Sequence, residues 1–232
     1  MRVEIWSDVV CPWCYIGKRR LERALGDFPH ADEVEIVWRS FQLDPAAPST
    51  PVETVAEHLG RKYGGGPEAG RKMIERTEAV AAEEGMIWRQ HEALRVGTLD
   101  AHRLLHAAGA LRGELKEALL DAYFARAENV ADHETLTRIA TRVGLDEVQV
   151  KEVLTTDRYA DEVEADIRRA AAYGATGVPF FVVDQSYGVS GAQPVEVFAQ
   201  VLDRAWADAH PATLLGEVIG GEDVCGPDGC AV

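Results

Sequence analysis

Residues 1–44 pass from strand to helix to strand, and two cysteines, Cys11 and Cys14, stand at the first of these switches. Val3 and Ile5 alternate as strand residues do, Ser7-Asp8 is a turn ahead of Val9-Val10, and a helix is expected from about Cys11-Pro12. Proline is favoured there because the first helical turn leaves its N–H groups unbonded and a missing one costs nothing. Cys14, Leu21, Leu25 and Phe28 follow at helical spacing, and Val34, Ile36 and Trp38 alternate as a second strand. The result is a β-α-β unit with a C-x-x-C pair at its strand-to-helix turn. Two thiols so spaced serve disulfide exchange or form half of a metal site.

From Pro45 to Gly174 the pattern is helical throughout. Thr50-Pro51-Val52-Glu53 reads as a capping box with proline at the first helical position. Thr98, Asp132 and Asp157 are expected N-caps, and Gly85, Gly109, Gly144 and Gly174 expected stops. Strands return at Phe180-Phe181-Val182-Val183 and Tyr187-Gly188-Val189-Ser190, joined by a turn at Asp184-Gln185-Ser186. Pro194 opens a last helix whose Val197, Phe198, Val201, Leu202, Ala205 and Trp206 should face inward. The expected class is α/β. One discontinuous domain spans residues 1–44 and 175–208, a helical insertion spans 45–174, and residues 209–232 form a tail carrying Cys225 and Cys230.

The formal charge of −15 argues against nucleic-acid and anionic-membrane partners, since both need a concentrated basic surface. No apolar stretch approaches the roughly 18 residues of a membrane span. The start, Met1-Arg2-Val3-Glu4-Ile5-Trp6, lacks the apolar core of a signal peptide, so a cytoplasmic location is expected. Four cysteines are too few to staple 232 residues, and in a reducing compartment their spacing suggests redox or metal chemistry.

Disulfide exchange needs one thiolate to attack and a second thiol to resolve the mixed disulfide. Cys11, at the helix start, is the expected nucleophile, its pKa lowered by free N–H groups and the helix dipole. Cys14, one turn inside, is the expected resolving thiol. Lys18-Arg19-Arg20 is read as a solvated face. Asp8 is read as a helix cap ahead of a proton relay for Cys14. His102 and His106 lie four residues apart on one helix, but no further ligand stands at readable spacing, so no metal is expected. A zinc site would have to recruit Cys225 and Cys230 to join Cys11 and Cys14. Cys225 and Cys230, in a Gly- and Pro-rich run, form either an auxiliary redox pair or incidental thiols.

The order β-α-β, helices, β-β-α, with C-x-x-C opening the first helix and X-Pro opening the third strand, resembles a thioredoxin fold interrupted by a helical insertion. Its motifs are Ser7-Asp8-Val9-Val10-Cys11-Pro12-Trp13-Cys14-Tyr15-Ile16-Gly17, Leu99-Asp100-Ala101-His102-Arg103-Leu104, Gly177-Val178-Pro179-Phe180-Phe181-Val182 and Val189-Ser190-Gly191-Ala192-Gln193-Pro194. Together they resemble the FrnE-like branch of the DsbA family of thiol–disulfide oxidoreductases. That resemblance implies a cis Val178–Pro179 bond facing the cysteines. It also implies substrate binding by Pro12, Trp13, the Val178 backbone and Pro179. It implies protein or small-molecule disulfides as substrates and no organic cofactor, with glutathione or another small thiol as co-substrate. Two other activities remain open: a glutathione-dependent isomerase or transferase of the 2-hydroxychromene-2-carboxylate isomerase and kappa-class type, and a zinc-stabilised interaction module.

Overall fold

β1 (Arg2–Ser7) is buried along five of its six residues, more than a simple alternation of inward and outward side chains allows. The computed structural model, which describes residues 1–211, shows why: β1 is a central strand covered on both faces. It pairs in parallel with β2 (Glu35–Ser40) and antiparallel with β3 (Phe180–Val183), which pairs with β4 (Tyr187–Ser190), giving the order β2-β1-β3-β4. Val3 and Ile5 pack on α1 (Pro12–Gly26) and α9 (Val195–Ala209) through Leu21, Phe198 and Leu202. Burying a side chain of this size contributes about 1.5–3 kcal/mol. On the opposite face Trp6 packs with Ala170, Tyr173 and Phe180, and the buried Glu4 carboxylate accepts from Arg39 and Arg169. In the β3–β4 turn Asp184 and Gln185 both have positive φ, and the Ser186 N–H donates to Val183 O at 3.0 Å.

Between β2 and β3 lie α2 (Val55–Tyr63), α3 (Gly66–Glu83), α4 (Leu99–Ala107), α5 (Arg112–Phe124), α6 (His133–Val143), α7 (Glu147–Thr155) and α8 (Ala160–Ala172). Their core, with Leu104, Leu115, Leu119, Leu120 and Leu136 at its centre, also takes in Tyr15 and Ile16 of α1. α1 therefore presents one face to the sheet and another to the inserted helices.

Three local expectations are corrected. The capping box at the start of α2 is Thr54 with Glu57, not Thr50 with Glu53. Both segments match the same pattern, but Thr54 bridges to Leu94 and the Arg95 N–H donates to Glu53 O, so the chain stays extended through Glu53. Asp157 does not cap α8, whose N-cap is Tyr159 at φ 68. Buried Arg103 donates to the carbonyls of Val153 and Thr156, closing the end of α7 so that Asp157 falls in a separate turn. Lys18, Arg19 and Arg20 are not a solvated face: Lys18 and Arg19 pair with Glu117 of α5, and Arg20 with Glu84 at the end of α3. Asp132 and Gly144 bound α6 as expected. Cys225 and Cys230 lie outside the described residues.

Candidate active site

Cys11 is the N-cap of α1 and Pro12 its first residue, as their spacing predicts. The Cys14 N–H donates to Cys11 O at 3.1 Å, which places the two thiols on one turn. Both are free, and each is 2% exposed. The Cys11 thiol donates to Val178 O at 3.5 Å, and the Val178–Pro179 bond is cis, as the resemblance implied. Gly17 permits this approach of helix and loop: a Cβ there would lie 3.1 Å from Pro179 Cγ and 3.3 Å from Phe181 Cζ. Trp13, 41% exposed, sits at the rim. Cys11, Pro12, Trp13 and Val178 all border a cavity of about 470 Å³, closed on its other side by α2 and α3.

A buried charged group lies beneath the thiols. Asp8 is not a helix cap: its carboxylate accepts from the Val9 and Leu43 N–H groups at 2.7 and 2.8 Å and lies 3.2 Å from His102 Nε2. Burial pushes the Asp8 carboxyl up, but the His102 hydrogen bond and charge, the Leu43 N–H and the Lys116 ammonium outweigh it and hold the carboxyl below its ordinary value. The raised pKa that a proton-relay role requires is therefore not met. Burial moves His102 the other way, below the usual histidine value despite Asp8. Since a carboxylate only accepts, Nε2 carries the proton, and Nδ1 has no partner among the described residues. Lys116, 1% exposed, donates to Ser7 O at 3.1 Å. Burial pushes its ammonium down to about 8, against the pull of Cys14, Asp8 and Cys11.

The lowered pKa expected for Cys11 is also corrected. Burial pushes the thiol well up, the hydrogen bond and charge of Cys14 add to this, and the Cys14 N–H opposes it. In this enclosed site a thiolate at Cys11 loses hydration without a new cation in contact, so its protonated form is favoured.

His102 meets Asp8, whose charge acts on Cys11, whereas His106 turns away to Asp166 Oδ2 at 3.1 Å and Ser40 Oγ at 3.2 Å. Among the described residues no group of three or more His, Cys, Asp or Glu side chains is arranged to hold a metal ion. Sequence reasoning missed Lys116 and Glu117. The available signal was a Lys-Glu pair next to Leu115 and ahead of Leu119-Leu120, where a helix otherwise turns apolar residues inward.

These groups make stability depend on pH with a definite sign. Unfolded chains protonate histidine near 6.5, whereas folded His102 protonates lower, so the unfolded state gains protons first on acidification. Asp8, also depressed, adds the same sign below about pH 4. Urea midpoints are expected to fall as pH drops below about 6.5. His102→Gln, which keeps an N–H for Asp8, should flatten that part of the slope; an unchanged slope would remove His102 as its source.

A family model described as a DSBA-like thioredoxin domain matches residues 2–203. A crystal structure of a probable DsbA oxidoreductase from Streptomyces coelicolor is 48% identical, with a TM-score of 0.86 over 100% of this chain and 99% of that one. The uncharacterized protein YwbO of Bacillus subtilis (strain 168) is 26% identical over 206 residues, 87% of this chain and 96% of its own length. The cytosolic disulfide reductase DsbM of Pseudomonas aeruginosa, in its structure with GSH, shares the fold at 15% identity, with a TM-score of 0.62 over 89% of this chain and 99% of that one. The inserted helices interrupt a four-stranded sheet, and the family match runs through both the sheet and the insertion: the chain belongs to the family of DsbA-like thioredoxin domains.

Proposed function

We propose that this chain is a thiol–disulfide oxidoreductase that works through Cys11 and Cys14. The observation that carries this reading is the Cys11 thiol against Val178 O at the cavity edge, with Cys14 one turn behind it. Cys11 attacks a substrate sulfur, and Cys14 then attacks Cys11 and releases the substrate thiol. The Val178 backbone and Pro179 flank the bound sulfur, while Pro12 and Trp13 line its approach. Glutathione or a similar thiol serves as co-substrate in the cytoplasm; support comes from DsbM, whose structure holds GSH and whose description is cytosolic. A glutathione-dependent isomerase on this architecture would not need the second thiol at Cys14, and its presence favours redox chemistry.

The test is trapping. Cys14→Ser should accumulate a mixed disulfide on Cys11, seen as a mass adduct that dithiothreitol removes, and no adduct after oxidant titration would count against the reading. The same variant tests exchange with the second pair: a link from Cys11 to Cys225 or Cys230 supports it, and its absence makes them incidental thiols.

A further inference from the structure

We infer that the cavity beside Cys11 selects small disulfides that carry an apolar body and an anionic end, with Lys62 and Arg76 reading the anion. This rests on the oxidoreductase proposed above and names its substrate class. Cys11 is 2% exposed yet borders the cavity, so a disulfide must enter the cavity to reach it. At about 470 Å³ the space suits a small molecule. Val55, Leu59 and Lys62 fall on one stripe of α2, and Met73, Ile74 and Arg76 face them from α3. The inner wall is thus mainly apolar, its buried polar members Thr77, Gln90 and Tyr123 being already bonded to Ile74 O, Trp88 Nε1 and Leu94 O, so a hydrophilic ligand would lose hydration there with few new partners.

The charges at the wall are of two kinds. Arg95 and His58 also line the cavity, but Asp44 and Glu53 already engage them, Arg95 at 2.7 and 3.2 Å. Lys62 and Arg76 form no ion pair with any carboxylate among the described residues, and both are exposed; Lys62 Nζ stands 5.5 Å from the Tyr63 ring. A chain of net charge −15 repels anions at long range, so two uncommitted cations beside an apolar cavity give local discrimination.

The Cys11 thiolate attacks R–S–S–R′, the Cys11–S–S–R bond forms, and R′–S⁻ leaves to take a proton from water. The Cys14 thiolate attacks Cys11 sulfur and expels R–S⁻, leaving a Cys11–Cys14 disulfide and a substrate reduced by two electrons. Two equivalents of a small thiol then reduce the protein and are themselves oxidised to a disulfide.

The experiment measures kcat/KM, with dithiothreitol as reductant, for 5,5′-dithiobis(2-nitrobenzoate), 2,2′-dithiodipyridine, oxidised glutathione and insulin. Each value is divided by the rate of the same disulfide with free dithiothreitol. The anionic aromatic should exceed oxidised glutathione about tenfold. The ratio of anionic to neutral aromatic should fall about tenfold in Lys62→Met/Arg76→Gln and fall in the wild type as salt is raised. Lys62→Arg/Arg76→Lys should restore it. An unchanged ratio, or insulin or oxidised glutathione turned over faster than the anionic aromatic, overturns the inference while the oxidoreductase stands. No turnover of any of the four removes both.

Discussion

Cys11→Ser is expected to lower disulfide exchange about 10³-fold or more, because it removes the one thiol among the described residues that borders the cavity. The loss should be in kcat and should persist at high pH, where a thiol ionises and a hydroxyl does not. Burial and Cys14 both raise the Cys11 thiol, so its attack draws on what opposes them: the Cys14 N–H and the buried Lys116 ammonium. Lys116 loses its proton near 8, so the rate should stop rising, or fall, above that pH in the wild type. Stopped-flow reduction of an aromatic disulfide measures both. Activity within tenfold of wild type in Cys11→Ser would show that another group is the nucleophile.

The largest effect on stability is expected at Gly70. A Cβ there would run into the Ala56 carbonyl, just as one at Gly60 would meet the Gly66 carbonyl. α2 and α3 touch backbone to backbone at these two points, and neither carbonyl is a flexible group that could yield. Gly70→Ala should cost about 2–3 kcal/mol, read as a lower urea midpoint, and Gly70→Val more. Because α2 and α3 wall the cavity, the same change should speed alkylation of Cys11 by iodoacetamide. An unaltered midpoint in Gly70→Val would mean the helices separate at no cost.

The thiol motif was legible because its elements are local: strand, turn, proline and two cysteines within a dozen residues. The hairpin of β3 and β4 was equally so. Asp8 was misread because its partner, His102, stands 94 residues away, and no local pattern reports a carboxylate that gives up its helix for a distant imidazole. Lys18 and Arg19 failed in the same way, since the Glu117 that neutralises them lies on α5. The shift of the capping box from Thr50 to Thr54 shows a different limit. Two equal local signals competed, and a bridge to Leu94 chose between them. The cavity was invisible for a related reason: its walls come from segments that meet only in the folded chain.

Since α1 carries the sheet on one side and the inserted helices on the other, the two regions are not interchangeable modules. A chain stripped of residues 45–174 would leave Tyr15 and Ile16, the two residues after Cys14, uncovered, and would leave Lys18 and Arg19 without Glu117. Substitutions should cost least where the insertion does not meet α1, as on the outer faces of α6 and α7. A transplant of this insertion onto another scaffold would have to carry its own copy of α1, and the thiol chemistry would travel with it.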